Sequence, residues 1–433
     1  MRHETRDSRP TGSRSEAVPS SLSHRIYGGL LLLLIAALLS LSGCGEAEPP
    51  LALDEIDLPV TDSESFAPRL SVDDSGQVYL SWLAGKENGG HAFRFARHDG
   101  VEWSEPMTVS SGEDWFANWA DTPGVRPVGD WLFAHWLVRS GPGTYHYNIH
   151  AAWSKDGGKS WGEPFILHGK GRQAEHGFLS STVLPTGELA VSWLDGRHTV
   201  DGHSGHSHGN GSMTLRWARF QPGQNEPVHD EELDDRVCDC CMTATVLESD
   251  GPRVFYRNRS EEEIRDIYSV RPEHAAERRP VRDDGWNIAA CPVNGPAAQA
   301  VGNRSAVLWY TAAAGDGQVR FAFDDSGSSQ VVESRRVDEG RPLGRVAMAG
   351  DDEGLVLFWM EEGDEGAIIM GREAGENGLG PARPLTELSA ARSSGVPAAV
   401  ATEEGILLAW TALIDGERRL RAGWLNGWAP ATP

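Results

Sequence analysis

The stretch "VYLSWLAG", residues 78–85, sets a tryptophan inside a short run of β-type residues and ends at a glycine. The pattern returns as "WLFAHWLVR" at 131–139, "LAVSWLDGR" at 189–197 and "PRVFYRNRS" at 252–260. It continues as "SAVLWYTAA" at 305–313, "GLVLFWMEE" at 354–362 and "GILLAWTAL" at 405–413. The aromatics Trp82, Trp136, Trp193, Tyr256, Trp309, Trp359 and Trp410 are separated by 54, 57, 63, 53, 50 and 51 residues. β-Branched and aromatic residues favour a pleated, half-buried strand. Each such run follows a shorter apolar strand and a glycine-containing turn, as in "APRLSVDDSGQVYLSW". A third strand comes after it, "NIHAAWSKDG" for one, and two units close with "WSEP" or "WGEP" and a fourth. Four short strands per unit, repeated with an aromatic signature, predict an all-β chain folded as a β-propeller. A sandwich or β-helix gives no reason for this grammar. The repeat count gives seven four-stranded blades over residues 54–433, with six and one irregular unit as the alternative. The last unit stops at "RLRAGWLNGWAPATP", short of a full fourth strand. "DEIDLPVT", 54–61, is predicted to supply it and close the ring, which removes an exposed sheet edge.

Ahead of the repeats the chain changes character. Residues 1–25 are polar and carry five arginines, and Gly28 to Leu41 is a 14-residue apolar run. That is shorter than the roughly 20 residues a membrane-spanning helix needs. A charged lead, a short apolar core and small residues after it describe an export signal. The run ends in "LSGC", Leu41 to Cys44, which resembles the lipobox of bacterial lipoproteins. The resemblance implies a signal peptide over 1–43, lipidation of Cys44, and a tether over 44–53. It also implies anchorage in a bacterial cell envelope. Gly45 after that cysteine resembles outer-membrane lipoproteins, facing the periplasm or the cell surface.

The chain has 39 basic and 63 acidic residues. Five arginines and three acids lie in 1–43, so the remainder carries 34 against 60. Such a surface repels phosphate backbones, and no basic stripe offsets it; nucleic acid is excluded as a partner.

"SKDGGKSW", Ser154 to Trp161, matches the pattern S-x-D-x-G-x-x-W, with weaker echoes in "RHDGVEW" (97–103) and "WLNGW" (424–428). This resembles the Asp-box of sialidases, and the chain resembles the sialidase-like propeller superfamily over roughly residues 66–433. The resemblance implies that Asp156 caps the turn between third and fourth strands while Trp161 packs beneath it. If the protein is active, it implies an exo-α-sialidase-like glycoside hydrolase. The family's Arg-Ile-Pro motif is replaced by "APRLSV", which leaves Arg69 in a different context. Arg257 or Arg259, with Arg345, would complete an arginine triad. Tyr145 and Tyr147 are the nearest tyrosines to a nucleophile, and neither matches the family's position.

In a propeller, the loop entering each first strand and the loop after each second strand open on one face. That rule gathers the chemically unusual residues over blades two to five. His176, Asp195 and Arg197 stand at strand ends of blade three. Arg257, Arg259 and Asp266 stand in blade four, where the two arginines are expected to grip a carboxylate and Asp266 to orient one of them. Asp195, Arg257, Arg259 and Asp266 are the candidate catalytic residues; His176, Arg197, Arg69 and Arg345 are the candidate ligand contacts. All six of the residues from blades three and four are expected in one concave region.

"DRVCDCCMTATV", 234–245, holds Cys238, Cys240 and Cys241, and Cys291 opens the next blade. With Cys44 lipidated, an even number remains, which in an oxidising compartment favours disulfides. A bridge from Cys291 to one of the three is expected, with the other two paired or held as a metal-binding dithiol. The loop "HTVDGHSGHSHGNGS", 198–212, carries His198, His203, His206 and His208, imidazoles that with the thiols would favour copper or zinc. Three function classes follow. One is an envelope propeller binding, or hydrolysing, a small acidic or glycan ligand. The others are a metal-binding or redox-active protein and a protein-docking scaffold.

Overall fold

In the computed structural model every anchor run becomes the second strand of an antiparallel sheet. Seven such sheets, each of four strands apart from the short extra strand Gly378–Leu379 in blade six, form a seven-bladed β-propeller. The structure describes residues 51–86, 89–169, 173–199, 211–325 and 333–428. Residues 1–43, Cys44 and the loop segment with His203, His206 and His208 lie outside these, so the expectations for them are not placed.

The anchor aromatics explain the repeat. Trp82, Trp193, Tyr256 and Trp309 are fully buried, as is Trp359, and Trp136 and Trp410 are 2 % exposed. Each ring removes on the order of 200 Å² from water. At about 25 cal/mol per Å² this is up to about 5 kcal/mol apiece, an upper estimate against a compact unfolded chain. The rings sit in contact with neighbouring sheets: Trp136 in a cluster with Phe66 and Phe93 of blade one, Trp410 with Phe358 of blade six. Burial between blades is what holds the ring.

Closure occurs as expected, slightly earlier in the chain. Ala52–Ile56 pairs antiparallel with Glu417–Asn426, Ala52 opposite Asn426 and Ile56 opposite Ala422. Leu58 and Val60 pack with Ile56 on the seam between blades seven and one. Backbone N–H groups cross that seam too, from Ala67 to Thr411 Oγ1 and from Leu420 to Ser65 Oγ.

In "SKDGGKSW" Asp156 Oδ1 accepts from Ser160 N at 2.9 Å, and Ser154 Oγ accepts from Gly158 N at 2.9 Å. Gly157 and Gly158 take φ of 72° and 86°, a region glycine enters without steric cost. Trp161 packs edge-on against Phe95 of blade one.

The first strands of blades one, three and six share an irregularity. Register slips between Phe66 and Arg69, between Gly177 and Ser180, and between Gly344 and Ala347. Ala67, Phe178 and Arg345 sit at each slip with φ of 57°, 54° and 51°. Non-glycine residues in that region cost of order 1–3 kcal/mol and cluster at functional surfaces. Bulges of this kind re-aim side chains beside a site.

Candidate functional site

Two polar clusters stand at the rim-facing strand ends of blades two to five. Trp119, Phe178, Val237 and Met242 pack with Cys240 in an apolar cluster beside the cysteine motif.

The first cluster is built on the loop leading into blade four. Cys238 N donates to Arg257 O, at the end of the blade's second strand, which fixes the loop on the sheet. Cys238 Sγ then lies 3.4 Å from Cys241 Sγ, 4.0 Å from Cys240 Sγ and 3.2 Å from Arg265 Nη1. One ligand atom from each of the three cysteines falls within 4.8 Å of the others. Burial raises a thiol's pKa, but here the S–H groups of Cys240 and Cys241 and the guanidiniums of Arg265 and Arg257 outweigh it. Cys238 is held well below the ordinary thiol range. Cys240 and Cys241 are pushed up, and Cys291 is lowered through its hydrogen bond with Cys240. Cys238 is thus the most acidic of the three clustered thiols, with Cys240 and Cys241 the less acidic. All four sulfurs are free, so the expected Cys291 bridge is not formed; Cys238 and Cys241 are the buried pair.

A ring of charge surrounds the thiolate. Arg259 is bidentate on Glu263 and donates from Nη1 to Asp239 Oδ2 at 3.0 Å; Arg265 Nη2 donates to Glu263 Oε2 at 2.8 Å. Burial and the Cys238 charge raise the Asp239 carboxyl to about 7. The dense charges of "YRNRSEEEIRDI", 256–267, thus form a largely buried network. Asp239, Glu263 and Arg265 were not among the expected site residues, although Asp239 sits inside the cysteine motif.

Arg257 does not grip a ligand. It is 2 % exposed, and its donors are engaged by the carbonyl oxygens of Asn294, Arg265 and Tyr310 at 2.6–3.0 Å. It also lies over the Trp286 ring at 4.9 Å. Asp266 does not orient an arginine: its carboxylate accepts from Gly285 N and Trp286 N, and so positions that ring. Arg345 likewise donates to the carbonyls of Ala390, Ala391 and Gly395, and Arg69 to those of Thr122 and Leu179. The expected arginine triad is therefore corrected. A guanidinium with five donors satisfies several orphan carbonyls at once, and in these three arginines it pins neighbouring blades.

The second cluster joins blades two and three. Asp195, fully buried, ends the second strand of blade three, and Arg197 is bidentate on it at 2.8 Å through Nε and Nη2. Trp193 Nε1 donates to the same carboxylate. Burial opposes ionisation, but these contacts win and hold Asp195 well below the usual carboxylate range. His176 Nε2 lies 3.5 Å from Asp195 Oδ1, and its Nδ1 is 3.2 Å from the carbonyl oxygens of Tyr147 and Ala174. His168 stacks on His176 with ring centroids 3.8 Å apart. Burial lowers both imidazoles, so both are neutral. His176, Asp195 and Arg197 thus come together as expected; His168 was not foreseen. His198 stands apart, half exposed, its Nε2 3.3 Å from Glu232.

Beside this cluster Tyr147 Oη lies 3.1 Å from Asp121 Oδ2 and 3.0 Å from Glu175 Oε1. One phenol proton serves one carboxylate. The other oxygen brings its own, and burial raises Asp121 to about 7. The anticipated single concave region is instead two clusters, one per blade pair.

No protein-family model matches the chain, and no curated protein does. Solved structures resemble it in fold. A protein of unknown function from Dyadobacter fermentans is 10 % identical over 87 % of this chain and 99 % of its own, with a TM-score of 0.49. An α-L-arabinanase from Penicillium chrysogenum, complexed with arabinobiose, is 10 % identical over 88 % and 99 %, with a TM-score of 0.45. The Hadza microbial sialidase Hz136 is 11 % identical over 77 % and 73 %, with a TM-score of 0.44.

Proposed function

We propose that this protein is a lipid-anchored envelope propeller that binds a soft metal ion, copper(I) or zinc, through Cys238, Cys240, Cys241 and Cys291. The observation that carries the reading is the convergence of three sulfurs around one thiolate that a buried guanidinium faces. Soft thiolates select copper(I) and zinc. A thiolate centre is anionic, and an uncompensated buried anion is costly. Arg265, which donates to Cys238 Sγ, and Arg257, whose charge also favours that thiolate, provide the compensation. Cys240 and Cys291, the more exposed pair, give the ion its route in.

Protein purified without oxidant or chelator should carry about one equivalent of copper or zinc. Cys238→Ser and Cys241→Ser should lose it. Titration of denatured, unreduced protein should find four reactive thiols in the body of the propeller. Two disulfides and no metal would overturn the reading. They would point to bridges of Cys240 with Cys291 and Cys238 with Cys241. Anchorage is tested by radiolabelled fatty-acid incorporation, which Cys44→Ala should abolish.

A glycan ligand is the second reading, favoured by the exposed ring of Tyr145 on the blade-two rim. Its apolar face suits the C–H face of a sugar. A panel of glycosides, fluorogenic sialosides included, tests it, with Tyr145→Ala as the variant expected to bind none.

A further inference from the structure

We propose a second metal site, separate from the thiolates, in which His176 Nε2, Asp195 Oδ1 and a ring nitrogen of His168 bind a divalent transition-metal ion. Candidate ligand atoms from the three residues lie within 4.8 Å of one another.

The argument begins with a mismatch of hydrogens. His176 Nδ1 faces two carbonyl oxygens, those of Tyr147 and Ala174, and so carries the proton of a neutral imidazole. Its Nε2 then presents a lone pair. That lone pair points at Asp195 Oδ1, 3.5 Å away, and both side chains are fully buried. Two electron-pair donors facing each other in a dry interior repel. A proton there would charge an imidazole beside a carboxylate that Arg197 already neutralises. A metal ion instead turns the repulsion into two bonds.

His168 is the independent witness. It is 7 % exposed, and neither of its ring nitrogens has a hydrogen-bond partner. Buried polar groups without partners are rare because each gives up its hydration with nothing in return. Its ring lies parallel to that of His176, within 4°, so the in-plane lone pairs run side by side and do not converge. Turning the His168 ring toward the ion brings its nitrogen in, and no hydrogen bond holds that ring back.

The surroundings match what metal ligands require. The non-ligating nitrogen of His176 donates to backbone carbonyls, and the Asp195 carboxylate is oriented by Trp193 Nε1 and Arg197. Such outer contacts fix a ligating imidazole and carboxylate. The positive charge of Arg197, which opposes a cation, is itself drawn by Asp230 and Glu232 as well as Asp195. Two imidazoles and one carboxylate suit zinc or copper(II), and three protein ligands leave a fourth position for water or substrate.

The test uses the full chain, stripped by chelator under reducing conditions and titrated with zinc and then cobalt(II). Wild type should bind one equivalent more than His168→Phe, a variant that keeps the stacked ring and cannot coordinate. His176→Gln should show the same loss of one equivalent. In both variants the sulfur-to-cobalt charge-transfer band of the thiolate centre should persist, which separates failure here from failure of the cysteine site. An unchanged stoichiometry in His168→Phe would overturn the proposal. So would a missing equivalent that returns when only the cysteines are replaced.

Discussion

Arg265 Nη1 donates to Cys238 Sγ across 3.2 Å, joining two loops of blade four at residues that are almost wholly buried. The contact decides which protonation state the cysteine motif adopts. Desolvation alone would keep Cys238 a thiol; a cation and two S–H donors around it reverse that outcome.

Arg265→Gln should therefore raise the Cys238 pKa, because the cation that favours its thiolate is removed. Arg265→Lys should restore part of the effect by supplying charge without the fork. The thiolate absorbance as a function of pH is the readout. The sign for stability follows: a depressed thiol pKa stabilises the fold fully above the unfolded value of 9.0, and the contribution fades as pH falls toward the folded value. If Arg265→Gln leaves the thiolate titration unchanged, the cation is not its cause.

Arg257→Met should destabilise the fold itself, beyond any weakening of the thiolate it faces. The change leaves the carbonyls of Asn294, Arg265 and Tyr310 without their donor in a buried setting. Hydrogen bonds to charged groups contribute about 1.5–3 kcal/mol each, not additively, so a loss of roughly 3–5 kcal/mol is expected by urea denaturation. Arg259→Ala, at 12 % side-chain exposure and paired to Glu263 and Asp239, should cost less. Equal small losses in both would return Arg257 to the pool of ligand-binding candidates.

The contrast between these two arginines shows what the sequence made legible. Seven second strands were readable because each carries its own buried aromatic at a near-constant spacing. The face rule then put His176 beside Asp195, its partner across one hairpin, and the cysteine motif, through Asp239, beside Arg259 in the same blade. The role of Arg257 was not readable. Which carbonyls a blade leaves orphaned depends on bulges such as those at Ala67, Phe178 and Arg345, where register slips and alternation no longer says where a side chain points. His168 was missed for a related reason: it comes from the end of blade two, and only the docking of blade three places it on His176.

Ring closure makes a separate prediction. Leu51, 8 % exposed, packs with Ile406, Trp410 and Leu425, and Leu53 lies against the same cluster. Replacing both with Asp buries two charges and strips the last blade of its fourth strand. Stability should fall by roughly 3–5 kcal/mol, and the freed edge of Glu417–Asn426 should promote aggregation. Melting temperature together with light scattering on heating is the measurement. A variant with wild-type melting would show that this strand is not what closes the ring.

The last prediction concerns Asp121, wedged between the backbone N–H of Phe178 and the phenol of Tyr147. Burial raises its carboxyl from 3.8 to about 7, against the pull of those two donors and of Arg69. A carboxyl whose folded pKa is raised favours the fold while protonated. Its contribution is complete below the unfolded value near 4 and is lost as pH rises through about 7, at roughly 1.4 kcal/mol per pH unit. Asp121→Asn keeps an oxygen for Phe178 N and a polar group for Tyr147, yet cannot ionise. The variant should lose less stability than wild type between pH 4 and 7. Asp239, raised to the same value, titrates in both proteins and cancels from the difference. Urea denaturation at pH 4, 5.5 and 7 gives the two slopes. If they coincide, Asp121 is ionised throughout, and Tyr147 sits between two carboxylates with one proton to share.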